Sequence, residues 1–279
     1  MNDALKFPKH SFGQRVKTMM KVDVRRMLKS KVFYILLAVA LIIPIVMTVM
    51  MTMMAGKEST DPQTGEVTVM EGPESVWESI GTLPTDEAAE KPTDGEAQMG
   101  DMDVMAMCNI NMAFMGVCVF VCLFISDDFR SGYAKNLFTV RAKKGDYVVS
   151  KTVCGFICGS LMLIFYFIGA LLGGAISGLS FGLGTLNIGN IIMCMLSKIF
   201  LMLVFVSIFT LISVSAKQKA WLSICGSLGG GMLLFTMVGM ITPLNSTVIN
   251  VILTLVGGLL FAVGLGVISK TVLKKSSLV

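Results

Sequence analysis

Charge is scarce in this sequence, and it is missing from the places where catalysis would need it. Only 15% of the 279 residues are Asp, Glu, Lys or Arg, against about 25% in a soluble domain. No long apolar run holds an Asp, Glu or His in its interior, and the single histidine, His10, precedes all of them. Proton-relay carboxylates within the membrane, an H-E-x-x-H zinc site and a Ser/His or paired-aspartate protease centre are thereby excluded. The phosphate loop G-x-x-x-x-G-K-[ST] is also absent. Neither an enzyme nor a self-powered pump is expected, and no catalytic residue, metal or cofactor is assigned. The seven cysteines all avoid the acidic segment 56–101, so no disulfide framework is expected there.

Apolar sequence is what the chain has in abundance: 54% of its residues are hydrophobic and the mean hydropathy is +0.78. Six runs are long enough to cross a bilayer: Val32 to Ala55, Val104 to Ile125, Thr152 to Ile176, Asn190 to Val214, Trp221 to Ile241 and Val248 to Ser269. The reading is an all-α polytopic membrane protein. Residues 1–31 form a tail and interfacial helix, and 32–279 a six-span domain. The first run is too long for the apolar region of a signal peptide and follows too long a leader, so it is expected to stay as an anchor.

The sign of the charge alternates from loop to loop. Residues 1–31 hold nine basic side chains against two acidic ones, residues 56–101 hold twelve acidic against two basic, and residues 126–151 hold six basic. Lys217, Lys219, Lys270, Lys274 and Lys275 fall in the later even loop and the C-terminal tail. By the positive-inside rule both termini and the 126–151 loop are cytoplasmic, and 56–101 is external. That acidic segment, with Pro62, Pro73, Pro84 and Pro92, is expected to be largely irregular. It is either a solvated loop or a vestibule that attracts cations.

From Ser11 to Lys31, apolar Phe12, Val16, Met19, Met20, Val24, Met27 and Leu28 recur at nearly helical spacing with basic residues between them, as in a helix lying on the membrane surface. Pro44 is expected to kink the first span. Small residues four apart, Gly155/Gly159, Gly169/Gly173, Gly174/Gly178, Gly226/Gly230 and Gly258/Ala262/Gly266, suit close helix packing, first of all within the bundle. Lys198 is the one charge inside a run. An intramembrane lysine is a functional hypothesis, yet residues 199–214 and the small residues after them nearly suffice to cross. On that count Lys198 snorkels at the outer interface and Leu186 to Ser197 lies as an external or interfacial helix.

Two stretches resemble the permease subunit of type-2 ABC exporters, in particular bacterial permeases that export or give immunity to peptide antibiotics. Lys21-Val-Asp-Val-Arg-Arg-Met-Leu-Lys-Ser-Lys-Val-Phe33, with Asp23, Arg25 and Arg26, is similar to the family's elbow helix. Asp127-Asp-Phe-Arg-Ser-Gly-Tyr-Ala-Lys-Asn-Leu137, followed by Arg141 to Lys151, is similar to its coupling segment, where an acid and a glycine four positions later open a short helix. The resemblance implies a cytoplasmic coupling helix between spans two and three and a separate soluble ATPase that binds the ATP. It also implies a second permease copy or paralogue, and a place in the bacterial cytoplasmic membrane. Within the coupling segment Phe129, Tyr133, Leu137 and Phe138 are expected to anchor the ATPase, or else the headgroup layer. Asp127, Asp128, Arg130 and Lys135 are expected to set the register, with Gly132 at the turn.

Two departures from the family stand out: Tyr133 replaces a small hydroxyl residue, and Thr242 to Thr247 is short where many members have re-entrant helices. Three other readings stay open. One is a non-transporting scaffold or sensor subunit, one an ATPase-independent transporter or channel, and one a copper handler. The last would use Cys118, Cys122, Cys154 and Cys158 with Met102, Met105, Met107, Cys108, Met112 and Met115 as soft ligands, although such residues are ordinary bundle fillers.

Overall fold

A computed structural model of the chain describes residues 11–56, 58–60, 67–69, 73, 75–80, 109–139, 143–183 and 186–275. Most of the acidic segment and Met102, Met105, Met107, Cys108 and Arg141 lie outside them.

The chain begins with α1, Phe12–Lys29, whose start is fixed by a capping box in which Ser11 and Gln14 bond each other's backbone amides. Extended backbone at Ser30 turns the chain into α2, Lys31–Met54. A two-stranded antiparallel ribbon follows, β1 Glu58–Thr60 and β2 Val67–Val69, and then a 3-10 turn over Val76–Ser79. The rest is helical: α3 Met112–Arg130, α4 Tyr133–Thr139, α5 Lys144–Ser177, α6 Ile188–Ala216, α7 Ala220–Ile241 and α8 Val248–Lys275. Six of these, α2, α3, α5, α6, α7 and α8, are long and apolar enough to cross a membrane. The all-α polytopic reading therefore holds, with α1 as the extra helix before the first span and α4 between the second and third.

Helix ends differ from the apolar-run boundaries for a physical reason. Counting apolar residues stops at the first charge, but the helix need not stop there. Helix α3 continues through Asp127, Asp128 and Arg130, and α5 begins eight residues before the apolar run, at Lys144. Most of the loop at 126–151 is thus the projecting ends of two spanning helices with α4 between them. Gly132, at φ +75°, makes the turn between α3 and α4 in the left-handed region that favours glycine.

Packing sorts the spans. About 61% of the most apolar window of α3 is buried, but only 17% of that of α7 and 11% of that of α8, so α3 sits near the bundle's centre and α7 and α8 at its margin. Helix α6 packs against α3, α5, α7 and α8, while α2 lies along α5. The core between α3 and α6 is aromatic, with the rings of Phe114 and Phe205 4.6 Å apart.

Glycine spacing serves packing inside the chain. A Cβ at Gly155 would meet Val206 and Val121, one at Gly159 would meet Met202 and Val117, and one at Gly258 would lie 2.7 Å from the Phe200 carbonyl. Against α2, Gly169 and Gly173 face Leu41, Pro44 and Ile45, so the α2 backbone around its proline sits directly on α5. Pro44 stays inside a continuous helix, and Thr48 donates to its carbonyl at 2.7 Å.

The connection from α7 to α8 is a turn over Thr242 to Thr247, closed by Ser246 N–H to the Pro243 carbonyl. No re-entrant helices occupy it. The described pieces of the acidic segment are more ordered than expected: Val76 N–H donates to the Ser180 carbonyl and the Trp77 indole to the Gly182 carbonyl.

Candidate functional site

The largest cluster of charge lies where α1, α3, α4 and α5 meet. Its first member comes from α1, whose inward seam of Met19, Asp23 and Met27 carries an acid among methionines. Asp23 and Met27 are each 1% exposed. A buried carboxylate is costly unless it is paired and hydrogen-bonded. Here Lys151 of α5 donates to Asp23 Oδ1 at 2.9 Å, and the Ser150 hydroxyl donates to Oδ2 at 2.6 Å.

Lys151 is itself fully enclosed, and its ammonium also lies 2.7 Å from Asp128 Oδ2 on α3. Asp128 takes a second bond from the Tyr147 hydroxyl at 3.0 Å, and Arg26 of α1 pairs with its Oδ1 at 2.7 Å. Two carboxylates and two cations thus balance, and the pairs tie three helices together. Aromatic rings close the cluster. Lys151 Nζ sits 4.0 Å from the Phe124 ring centre, and the Arg26 guanidinium sits 4.1 Å from that of Tyr133 on α4.

Burial is the largest single influence on Arg26 and opposes its charge, but Asp128, Tyr133 and Asp23 together outweigh it, so the guanidinium titrates above its ordinary value. Burial first, and then the charge of Asp23, raise the Tyr133 phenol above the usual tyrosine value, which keeps the ring neutral over Arg26. Two further contacts extend the clamp. Arg15 donates to Asp146 Oδ2 at 2.9 Å, and Lys144 Nζ donates to the Leu273 carbonyl at the end of α8.

This geometry revises the division of labour expected within the coupling segment. Phe129, Leu137 and Phe138 are half-buried against the core, with the Phe129 and Phe138 rings edge-on to Tyr147 at 6.3 and 5.4 Å. With Tyr133 over Arg26, all four expected anchors face the bundle. Helix α4 is too short and too close to the spans to leave an apolar face free. Asp128, expected to set the register, is enclosed at 0%. Asp127, Arg130, Lys135 and Asn136 are exposed and form the outward face. Arg25 is exposed and stands outside the clamp. A cleft of about 350 Å³ opens beside this face, bounded by Ser30, Phe120, Phe124, Asp127, Arg130 and Gln218.

Lys151 was missed by the sequence reading. It sits at the border of an apolar run, where a lysine reads as an ordinary flanking charge. The available signal was Asp23, an acid at a seam position of α1 that needed a cation from elsewhere in the chain.

The second buried charge, Lys198, lies near the opposite ends of the spans. It does not snorkel. Helix α6 runs unbroken from Ile188 through Lys198, so Leu186 to Ser197 is no separate helix, and the lysine turns into the bundle at 0% exposure. Its ammonium donates to Asn111 Oδ1 just before α3 at 2.7 Å and to Thr242 Oγ1 just after α7 at 3.0 Å. It therefore does lie at the level where α3 and α7 end. The length count misled because α6 extends beyond the spans around it.

The described cysteines do not converge on a site. Cys118 and Cys122 lie 4.0 Å apart on α3, and Cys122 bonds with Ser213 and Ser227. Among the described residues no three His, Cys, Asp or Glu side chains gather as a metal site would require.

A family model described as ABC-2 family transporter protein matches residues 79–233, more than half of the chain. That stretch contains α3 to α6 and most of α7, and with them Asp128, Gly132, Lys151 and Lys198. No curated protein and no solved structure matches.

Proposed function

The chain belongs to the ABC-2 family of transporter proteins, and on that premise we propose that it is an exporter permease whose α4 region receives the stroke of its ATPase. It is the membrane-spanning permease subunit of an ABC transporter, and its partner is an ABC ATPase subunit. Beyond that, we infer that the α4 end of the bundle faces the cytoplasm of a bacterium, with both termini on that side. Two permease copies or paralogues pair in the cytoplasmic membrane, and an amphipathic compound is moved outward.

The observation that carries this reading is the four-charge clamp of Asp23, Arg26, Asp128 and Lys151. A short helix that docks a partner transmits force only if it is rigidly tied to the spans. Through Tyr133 on Arg26 and Phe138 on Tyr147, α4 rests on the clamp, and the clamp joins α1, α3 and α5. The outward charges Asp127, Arg130 and Lys135 then meet the ATPase, and Gly132 holds the turn. Polar rim contacts of this kind set orientation and association rate. The positive-inside count favours the cytoplasmic placement.

Cargo charge is the least constrained part. The acidic segment 56–101 would favour a cationic peptide, but most of it lies outside the described residues. The test is co-purification of the ATPase with affinity-tagged permease. Charge reversal of Arg130 and Lys135 together is expected to strip the ATPase while the permease stays folded. Full retention of the ATPase by that variant would refute docking at this face.

A further inference from the structure

Helix α1 carries six cations and one carboxylate, and the fold sorts them by side. Arg15 and Arg26 turn inward, to Asp146 and Asp128. Lys17, Lys21, Arg25 and Lys29 are exposed, and among the described residues none of them forms an ion pair with a carboxylate. Residues four apart lie one above another on a helix, so these four make a single stripe, about 18 Å long at 1.5 Å per residue. Asp23, the one acid of α1, is on the opposite seam and closed into the clamp.

Two contacts fix the height of this helix. Asp23 is held by Ser150 and Lys151, which directly precede the apolar run of α5 that starts at Thr152. Arg15, eight residues earlier, meets Asp146, only about 7.5 Å farther out along α5. At the other end Lys29 is followed within two residues by the start of α2. Helix α1 therefore runs obliquely through the polar layer, which adds about 5–7 Å to each side of the hydrocarbon core.

The side it presents follows from α4, which lies beyond the apolar ends of α3 and α5 and touches α1 at Arg26 through Tyr133. By helix geometry the centre of the stripe is about 120° round from Arg26. It is thus turned away from α4 and from a partner docked there. Val22 and Leu28, 44% and 47% exposed, stand beside the cations. Large apolar side chains left uncovered next to lysines and arginines are the pattern of a helix lying at a lipid surface.

We propose that Lys17, Lys21, Arg25 and Lys29 bind the phosphates of anionic phospholipids in the leaflet that α1 lies on. The other side of the same helix holds Asp23 and Arg26, so lipid held by the stripe braces the clamp from outside. This goes beyond the permease reading: it needs only the place of α1 against a leaflet and holds for any cargo. Each cation near an anionic surface favours binding by about fivefold.

The test uses the full chain with its ATPase in phosphatidylcholine nanodiscs that carry a small fraction of photoactivatable phosphatidylglycerol, with crosslinks to residues 11–31 counted by mass spectrometry. Labelling is expected to saturate, to weaken as salt rises, and not to saturate with a photoactivatable phosphatidylcholine. Each of Lys17→Gln, Lys21→Gln, Arg25→Gln and Lys29→Gln is expected to raise the half-saturating mole fraction about fivefold, while Lys17→Arg with Lys21→Arg leaves it where it is. All four side chains are exposed, so the fold is expected to stand in the fourfold glutamine variant. Adding phosphatidylglycerol is expected to raise the thermal midpoint of the wild type and not that of this variant. Equal labelling by the two lipids, unchanged saturation in the fourfold variant, an equal rise of both midpoints, or displacement of the probe by millimolar inorganic phosphate would each overturn the proposal. Loss of the ATPase from the fourfold variant with lipid labelling intact would assign the stripe to the ATPase and overturn it as well.

Discussion

Lys151 and Lys198 are both enclosed lysines on spanning helices, and they are held in opposite ways. Lys151 lies between two carboxylates, Asp23 and Asp128, at 2.9 and 2.7 Å. Lys198 has an amide oxygen and a hydroxyl. The first site is electrically complete, and its charges hold helices together. The second is incomplete among the described residues, where its charge meets only neutral oxygens. Where a buried cation is neutralised, architecture explains it; where it is not, binding or motion is the better account.

The sharpest way to break this contrast is to remove each lysine in turn. Lys151→Met leaves two buried carboxylates with Arg26 as their one remaining cation, and unfolding stability in detergent is expected to fall by about 3–5 kcal/mol, with a clear drop in the thermal midpoint. If the midpoint held, the clamp would not be what joins α1 to α3 and α5. Arg26→Ala acts at the same cluster but on a partner 28% exposed, so its expected cost is about 1–3 kcal/mol, measured in the same melt. A loss equal to that of Lys151→Met would mean that the two cations are not ranked by burial.

Lys198→Met is expected to change stability by no more than about 1 kcal/mol and in the favourable direction, since it removes a desolvated charge with no counter-ion among the described residues. Transport is nevertheless expected to fail. A large destabilisation there would turn Lys198 into a structural pin and collapse the comparison. Smallest of all in the melt is the outward face: Arg130→Glu with Lys135→Glu is expected to leave the thermal midpoint where it is, with the effect confined to ATPase retention.

The spans were legible because twenty apolar residues admit few other readings. Asp23, Asp128 and Gly132 could be picked out as motif residues from local spacing alone. Their partners could not, since Lys151 is 128 residues from Asp23 in sequence and no local pattern encodes which helix ends meet. Phe129, Tyr133, Leu137 and Phe138 have helical spacing, and spacing identifies a face without saying whether the bundle or a partner covers it. Lys198 was misjudged because run length measures how much helix a bilayer needs and not how much a chain builds.

Helix α5 is 34 residues long, about 51 Å at 1.5 Å per residue, well beyond the roughly 30 Å hydrocarbon core of a bilayer. Near one tip it holds Asp146 against Arg15 and Lys151 within the clamp. Farther along, Gly155 and Gly159 seat α3 and α6, and close to the other tip Gly169 and Gly173 seat α2 while Gly174 faces Val76. A single uninterrupted rod of that length acts as a lever. A small tilt imposed at the Lys144 end becomes a sideways displacement at the Ser177 end, so the two faces of the membrane are geared together by one element with no joint between them.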